Sequence, residues 1–181
     1  MSNLSGGVMT PPYSFNLHFS QERNCFMEIR FAAAGDIPGM IDLLRQVGEV
    51  HHRIRPDLFR SGAQKYDEAA LKELLQDPAR PILAAVEDGR LLGYCFCILK
   101  VTENNPVLMD DKSLYIDDLC VDETCRGKHV GKALYARACA YAKELGCRSI
   151  TLNVWCGNDS AMAFYEKQGL KPRNIHMEAI L

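Results

Sequence analysis

Between Leu114 and Trp155 the apolar pattern changes period twice, and this change limits the folds open to the chain more than any other feature. "LYIDDLCV" (114–121) reads as an extended strand. "CRGKHVGKAL" follows closely, with Arg126, Gly127, Lys128, Gly131 and Lys132 crowded into a short turn. From about His129 to Leu145 the apolar positions Val130, Leu134, Ala138, Tyr141 and Leu145 recur at helical spacing, and Gly146 stops the run. "SITLNVW" (149–155) is extended again. Strand, helix and strand in that order make a βαβ unit, which requires two parallel strands in one sheet.

The rest of the chain supplies antiparallel material. "EIRFAAA" (28–34) reads as a first strand, and Asp36 is placed to cap a helix through about His51 with Ile37, Met40, Ile41, Leu43, Leu44 and Val47 as its stripe. "HHRIRPDLF" (51–59) is a polar, proline-interrupted connection, and a second helix over 66–76 ends at Asp77-Pro78. "PILAAVEDGRLLGYCFCILKV" (81–101) is two strands joined at Asp88-Gly89, a strong hairpin signal. Asn158 or Asp159 caps a short helix to about Gln168, with Gly169 beyond it, and the tail "RNIHMEAIL" reads as a last strand. The order βααβββαβαβ predicts a mixed α/β domain in which a largely antiparallel sheet meets the βαβ unit.

A chain of 181 residues is long enough for one domain with a real core, and its net charge of −2 argues against general affinity for nucleic acid. Any basic patch is local, and 126–132 is that patch. The eight cysteines (25, 95, 97, 120, 125, 139, 147 and 156) form no CxxC pair and none sits at zinc-finger spacing to a histidine. They read as reduced, mostly buried thiols of a cytoplasmic protein without a metal site. No apolar run approaches the roughly 18 residues a membrane span needs. Residues 1–26 lack the basic start and apolar block of a signal peptide and read as an N-terminal extension or arm, with the domain over 27–181.

The first four N–H groups of a helix have no internal partner and lie at the positive end of its dipole. A glycine-rich turn lets an anion approach them, and Arg126, Lys128 and Lys132 add charge at the rim, which suits a ligand carrying several phosphates. A Walker loop is excluded because residue 133 is Ala rather than Ser or Thr, and the glycine spacing of a dinucleotide fingerprint is absent. The spacing RxxHxG over Arg126, His129 and Gly131 resembles motif A (Q/R-x-x-G-x-G/A) of the GNAT N-acetyltransferase superfamily, whose turn holds the pyrophosphate of acetyl-CoA. "NVWCGNDSAMAFYEKQGLKP" (153–172) resembles the family's motif B, a strand ending in Asn153, a helix capped at Asn158, and a tyrosine, here Tyr165, that projects toward the thioester sulfur.

The resemblance covers about Met27 to Leu181 and implies the GNAT fold: a central, mostly antiparallel sheet with splayed central strands flanked by helices. It implies acetyl-CoA as co-substrate, no metal, and transfer of acetyl to a primary amine of a small molecule or peptide by direct attack in a ternary complex. The main chain of Leu119, Cys120 and Val121 would hold the pantetheine arm, and one N–H there would face the thioester oxygen. Arg126, Gly127, Lys128, His129, Val130, Gly131 and Lys132 would hold the diphosphate, and Asn153, Asn158, Ala161, Phe164 and Tyr165 would complete the coenzyme site. His129 departs from the pattern, since the family commonly has Gly there. It is tolerated if φ is negative and the ring points outward, as a bystander or as one more donor to a phosphate.

Acetyl transfer needs an unprotonated amine, a polarised carbonyl and a proton for the departing thiolate. Tyr165 is the candidate acid: a phenol near 10 donating to a thiol near 8.5 is uphill but feasible at hydrogen-bond range. Without the motif it reads as a core tyrosine. Holding a lysine-type amine neutral at pH 7 costs roughly 4.6 kcal/mol, against about 1.4 kcal/mol for an α-amine, so a strong amine needs help. Asp117 and Asp118 are adjacent on a strand and are expected to face opposite sides. Tyr115 and Asp117 share a face, and similar carboxylates in relatives such as polyamine acetyltransferases contact the substrate amine. Asp117 is therefore the candidate base or amine anchor, with a solvated strand edge as the plainer alternative. His51, His52, Phe59, Tyr115 and Asp117 are the expected acceptor residues, and either histidine is a candidate proton relay. A longer acyl-CoA, a protein N-terminus as acceptor, and a non-catalytic acyl-CoA-binding module are the alternatives, and Tyr165 argues against the last. The acidic pair and the basic "HHRIR" pull the acceptor's charge in opposite directions. The resemblance leaves monomer and homodimer open, the latter pairing through "HMEAIL".

Overall fold

Five strands pair in chain order in the computed structural model, which describes residues 26–181. The arm expected over 1–26 therefore lies outside the described residues except for Phe26, and so does Cys25. The strands are β1 (Glu28–Phe31), β2 (Ile82–Glu87), β3 (Arg90–Thr102), β4 (Asp111–Val121) and β5 (Ser149–Leu152). The first four pair antiparallel and β4–β5 is parallel, with α3 (Val130–Glu144) as the crossover. The expected mixed sheet and βαβ unit are both present. The β2–β3 hairpin turns on Asp88 and Gly89 with φ of 49° and 76°, the double positive φ of a type I′ turn.

Helices cover both faces. α1 (Ile37–Ile54) and α2 (Glu68–Leu74) pack Met40, Leu43, Leu44 and Leu71 against Tyr94, Phe96 and Cys120. α3 packs Val130, Leu134 and Ala138 against Leu83, Cys95, Cys97 and Leu114 on the other face. Burying each of the larger side chains contributes about 1.5–3 kcal/mol, so neither layer is dispensable. α1 outruns the sequence reading: "HHRI" continues the helix to Ile54, because nothing breaks the pattern before Pro56. Asp36 is not its side-chain cap. The carboxylate is buried, accepting from Arg30 at 2.7 and 2.9 Å and from the Ala33 N–H at 2.7 Å. α2 is capped by Asp67, which accepts from Ala70 N–H at 2.8 Å.

The last expected strand does not form. After α4 (Asp159–Lys167) no strand follows among the described residues, and Ile175, Met177, Ile180 and Leu181 are exposed. Alternating apolar residues make a strand only when a neighbour accepts their main-chain groups. The tail is tied by an ion pair between Glu178 and Arg55 at 2.9 Å, and among the described residues β5 pairs with β4 alone. All seven described cysteines are free, and four of them are buried.

Candidate active site

The sheet parts where the site lies. β4 pairs with β5 only from Ser113–Ser149 to Ile116–Leu152, yet β4 continues to Val121. Among the described residues the main chain of 117–121, which includes Leu119, Cys120 and Val121, thus has no strand partner on that side. Only the backbone of Cys120 is available, since its thiol turns into the core and donates to the Leu43 carbonyl at 3.5 Å.

The turn after β4 is built for main-chain donation. Gly127 has φ of 79° with open space where a β-carbon would stand, and Arg126 to His129 are all exposed. Lys128 N–H bonds the Cys125 carbonyl at 3.4 Å, while among the described residues the N–H groups of Gly127, His129, Val130, Gly131 and Lys132 find no main-chain acceptor. His129 takes φ of 63° and ψ of 8°, so the condition set for a side chain here, a negative φ, is not met. This left-handed conformation explains why glycine suits the position; an L-residue there carries about 1–2 kcal/mol of strain. Val130 is buried, and a β-carbon at Gly131 would stand 3.5 Å from Val121 and 3.6 Å from Phe164, in ordinary contact with β4 and α4. Arg126 Nε reaches the Val121 carbonyl at 3.4 Å, and Lys132 is exposed.

On α4, Asn158 is the N-cap, accepting from Ala161 N–H at 3.2 Å, so that N–H is already engaged. Tyr165 is half-buried and packs edge-on against Tyr135 at 6.3 Å and Phe164 at 5.0 Å. Burial, with the charges of Cys95 and Asp118 behind it, holds its phenol well above the ordinary value. A cleft of about 1120 Å³ runs along β5 and joins Tyr115, Asn153, Trp155 and Tyr165. A second cleft, about 450 Å³ beside Asp36, Asp42 and Arg90, contains none of the expected site residues.

The carboxylates differ from expectation. β3 and β4 slip register between Phe96–Asp118 and Cys97–Ile116, leaving Asp117 as the extra residue of a β-bulge. Asp117 and Asp118 therefore do not part to opposite faces. Asp117 accepts from Lys65 Nζ at 2.6 Å and from the Tyr66 hydroxyl at 3.3 Å, and Asp118 accepts from the Tyr94 hydroxyl at 2.8 Å. Tyr66 stacks on Phe96 at 5.7 Å and Phe96 meets Tyr94 edge-on at 4.7 Å, so both carboxylates share the side covered by α1 and α2. Burial raises the Asp118 carboxyl to about 6. Burial is the largest single influence on the Lys65 ammonium and works to lower it, but the bond to Asp117 and the charges of Asp117, Tyr66 and Asp118 together outweigh it and the net direction is upward.

Among the other expected acceptor residues, His51 and Phe59 stack at 5.0 Å, and Phe59 meets Trp155 edge-on at 5.2 Å. His51 is pushed below its ordinary value by burial and by Lys65. His52 is tied by Nδ1 to the Phe59 carbonyl at 2.7 Å, and Tyr115 carries Lys100 over its ring at 3.7 Å. Sequence reasoning missed Lys65, Tyr66, Tyr94 and Trp155. Trp155 had a signal, standing in motif B two residues after Asn153; the others are joined to the site only by the tertiary fold. Among the described residues no group of three or more side chains is placed to hold a metal, and no helix is long and apolar enough to cross a membrane.

Residues 47–170 match the Acetyltransferase (GNAT) family, and the chain belongs to that family. It is 32% identical over 146 residues to the uncharacterized N-acetyltransferase YhfO of Bacillus subtilis, covering 79% of this chain and 89% of that protein. It is 31% identical over 103 residues to a putative [ribosomal protein bS18]-alanine N-acetyltransferase of the same organism, covering 57% of this chain. That alignment spans 62% of the relative's own length. A mutant of the BH1408 protein from Bacillus halodurans superposes with a TM-score of 0.82 at 32% identity, over 86% of this chain and 99% of that one.

Proposed function

We propose that the protein is an N-acetyltransferase that moves acetyl from acetyl-CoA to a primary amine of a small molecule or peptide by direct attack in a ternary complex. The observation that carries this is the parted pair: β4 runs on from Asp117 to Val121 without β5 and leads straight into a turn whose N–H groups have no main-chain partner among the described residues. One elongated ligand fits along both. The exposed Arg126, Lys128 and Lys132 and the main-chain donors from Gly127 to Lys132 would grip its diphosphate. Leu119, Cys120 and Val121 would hold the arm through their backbone, and one N–H would polarise the carbonyl. Asn153, Ala161 and Phe164 would flank it, with Asn158 fixing α4. Tyr165 supplies the proton for the leaving thiolate.

Asp117 anchors the acceptor's ammonium, displacing Lys65 from the bond it now makes. The His51–Phe59–Trp155 cluster and Tyr115 shape the rest of that pocket, with His52 bracing the Phe59 segment. The relative named for a ribosomal-protein alanine favours a peptide N-terminus, and a bovine thialysine N-epsilon-acetyltransferase, 23% identical over 152 residues, favours a small amine. The free thiols support a reducing, cytoplasmic setting. The exposed apolar tail and the edge of β5 that no described strand pairs support a homodimer; light scattering that returns only a monomer removes it. The central test mixes the protein with acetyl-CoA and an amine panel that includes alanyl peptides and lysine analogues, and follows thiol release. Release with one class of amine is expected. Folded protein that gives no heat with coenzyme A and releases no thiol overturns the proposal.

A further inference from the structure

We infer that Asp118 takes the proton from the acceptor's ammonium, with Tyr94 holding its carboxylate in place; this rests on the acetyl-transfer reading above. In a regular strand Asp118 would turn away from Asp117. The bulge instead pairs Asp118 with Phe96, next to Tyr94–Cys120, and so sets its side chain among the residues under α1 and α2. Two carboxylates, the Lys65 ammonium and the Tyr66 and Tyr94 hydroxyls then meet at the place where β4 leaves β5. Lys65 marks a cation position there: it bonds Asp117 at 2.6 Å and also feels the charge of Asp118. A substrate ammonium in its place would face both carboxylates, one already committed to binding and the other free to accept a proton.

The surroundings give Asp118 the properties of a base. It keeps a partly exposed edge although it lies deep, and the Leu119 N–H, one of the candidate donors to the thioester, bears on its carboxylate. Burial raises the carboxyl to about 6, and the charge of Asp117 adds to this. The Tyr94 hydroxyl, Lys65 and the Leu119 N–H pull the other way. Cys120 on β4, Cys95 on β3 and Tyr165 on α4 complete the titratable groups facing it. Relative to an ordinary aspartate, such a carboxylate holds a proton about a hundredfold more tightly and still loses it to neutral water. A purely structural role would favour an uncharged side chain here, because an ionised buried carboxylate opposes folding.

The protons balance as follows. The acceptor ammonium gives one proton to Asp118, which keeps it until acetyl has moved and then passes it to solvent. The neutral amine forms the new C–N bond as the C–S bond breaks, the thiolate takes the Tyr165 proton, and the resulting phenolate takes the remaining excess proton from the new amide nitrogen. The net products are amide, thiol and one proton. The negative charge of Asp118 is among the influences that raise Tyr165, so protonating Asp118 makes Tyr165 the better acid at the step that needs one.

The test is the pH profile of kcat at saturating acetyl-CoA and amine. Wild type should show an acid limb near pH 6. Asp118→Asn should lose that limb and about a hundredfold or more of kcat. Tyr94→Phe should move the limb upward, since it deletes a bond that favours the ionised form. Asp117→Asn should keep the limb and raise the acceptor KM. The raised carboxyl contributes stability that is present below about pH 4 and lost as pH rises through about 6, so Asp118→Asn should melt no lower than wild type at pH 8. A limb that survives in Asp118→Asn, or disappears only in Asp117→Asn, overturns the assignment while leaving acetyl transfer intact. If Asp118→Asn does not fold, an unmoved limb in Tyr94→Phe overturns it. Wild type that releases no thiol with any amine defeats the underlying reading instead.

Discussion

The turn over 126–132 and the bulge at Asp117 stand at the two ends of the unpaired stretch of β4 and are made of different material. The turn offers main-chain N–H groups and exposed cations, and its geometry is set by left-handed residues at 127 and 129. The bulge offers side chains, two carboxylates held by Lys65, Tyr66 and Tyr94 in a partly buried setting. Peptide donors do not titrate, so a grip built from them is indifferent to pH, and its exposed cations make it sensitive to salt. Half-buried carboxylates behave in the opposite way, being shielded from salt and governed by pH. One ligand with a multiply charged end and a reacting end needs both kinds of site.

The largest expected effect lies at the reacting end. Tyr165→Phe removes the hydroxyl but leaves the ring against Tyr135 and Phe164, so kcat should fall by about a hundredfold or more while the KM for acetyl-CoA changes little. Equal turnover in the variant would take Tyr165 out of the chemistry. A smaller effect belongs to the turn. Replacing Arg126 and Lys128 together by alanine should weaken coenzyme A about tenfold in dilute buffer and by much less in 1 M salt, where the Debye length is about 3 Å. The acid limb of kcat should not move in that variant. A limb that follows the turn's charge, or affinity indifferent to salt, would mean the two ends are not separate in the way described.

The same contrast explains what was legible in the sequence. Glycines and cations before a helix are local facts, so the turn, the Asp88-Gly89 hairpin and the Asn158 cap could all be read from a few residues each. The direction of Asp118 could not. It depends on a one-residue slip between β3 and β4, and "YIDDLCV" carries no local mark of where the alternation breaks. Lys65 and Tyr66 lie some fifty residues from Asp117 and meet it only because α1 and α2 fold over the sheet. The tail failed for a related reason: its alternation is real, but a strand is a pairing, and no segment among the described residues pairs with it.

His129 gives the smallest effect and the sharpest separation between backbone and side chain. It occupies the first corner of α3 at φ of 63°, makes no side-chain cap bond and is exposed, so its ring has no described role in the fold. His129→Gly relieves strain of about 1–2 kcal/mol in the folded chain. It also frees the unfolded chain, which takes back up to about 1 kcal/mol. The net gain should therefore be no more than about 1.6 kcal/mol, a rise in Tm of at most about 6 °C. Coenzyme A affinity should stay within about twofold, because the same N–H groups remain in place and only the ring is lost. A tenfold loss with an unchanged Tm would show that the imidazole itself contacts phosphate. The turn would then have been built partly from side chains, and its expected indifference to pH would go with it.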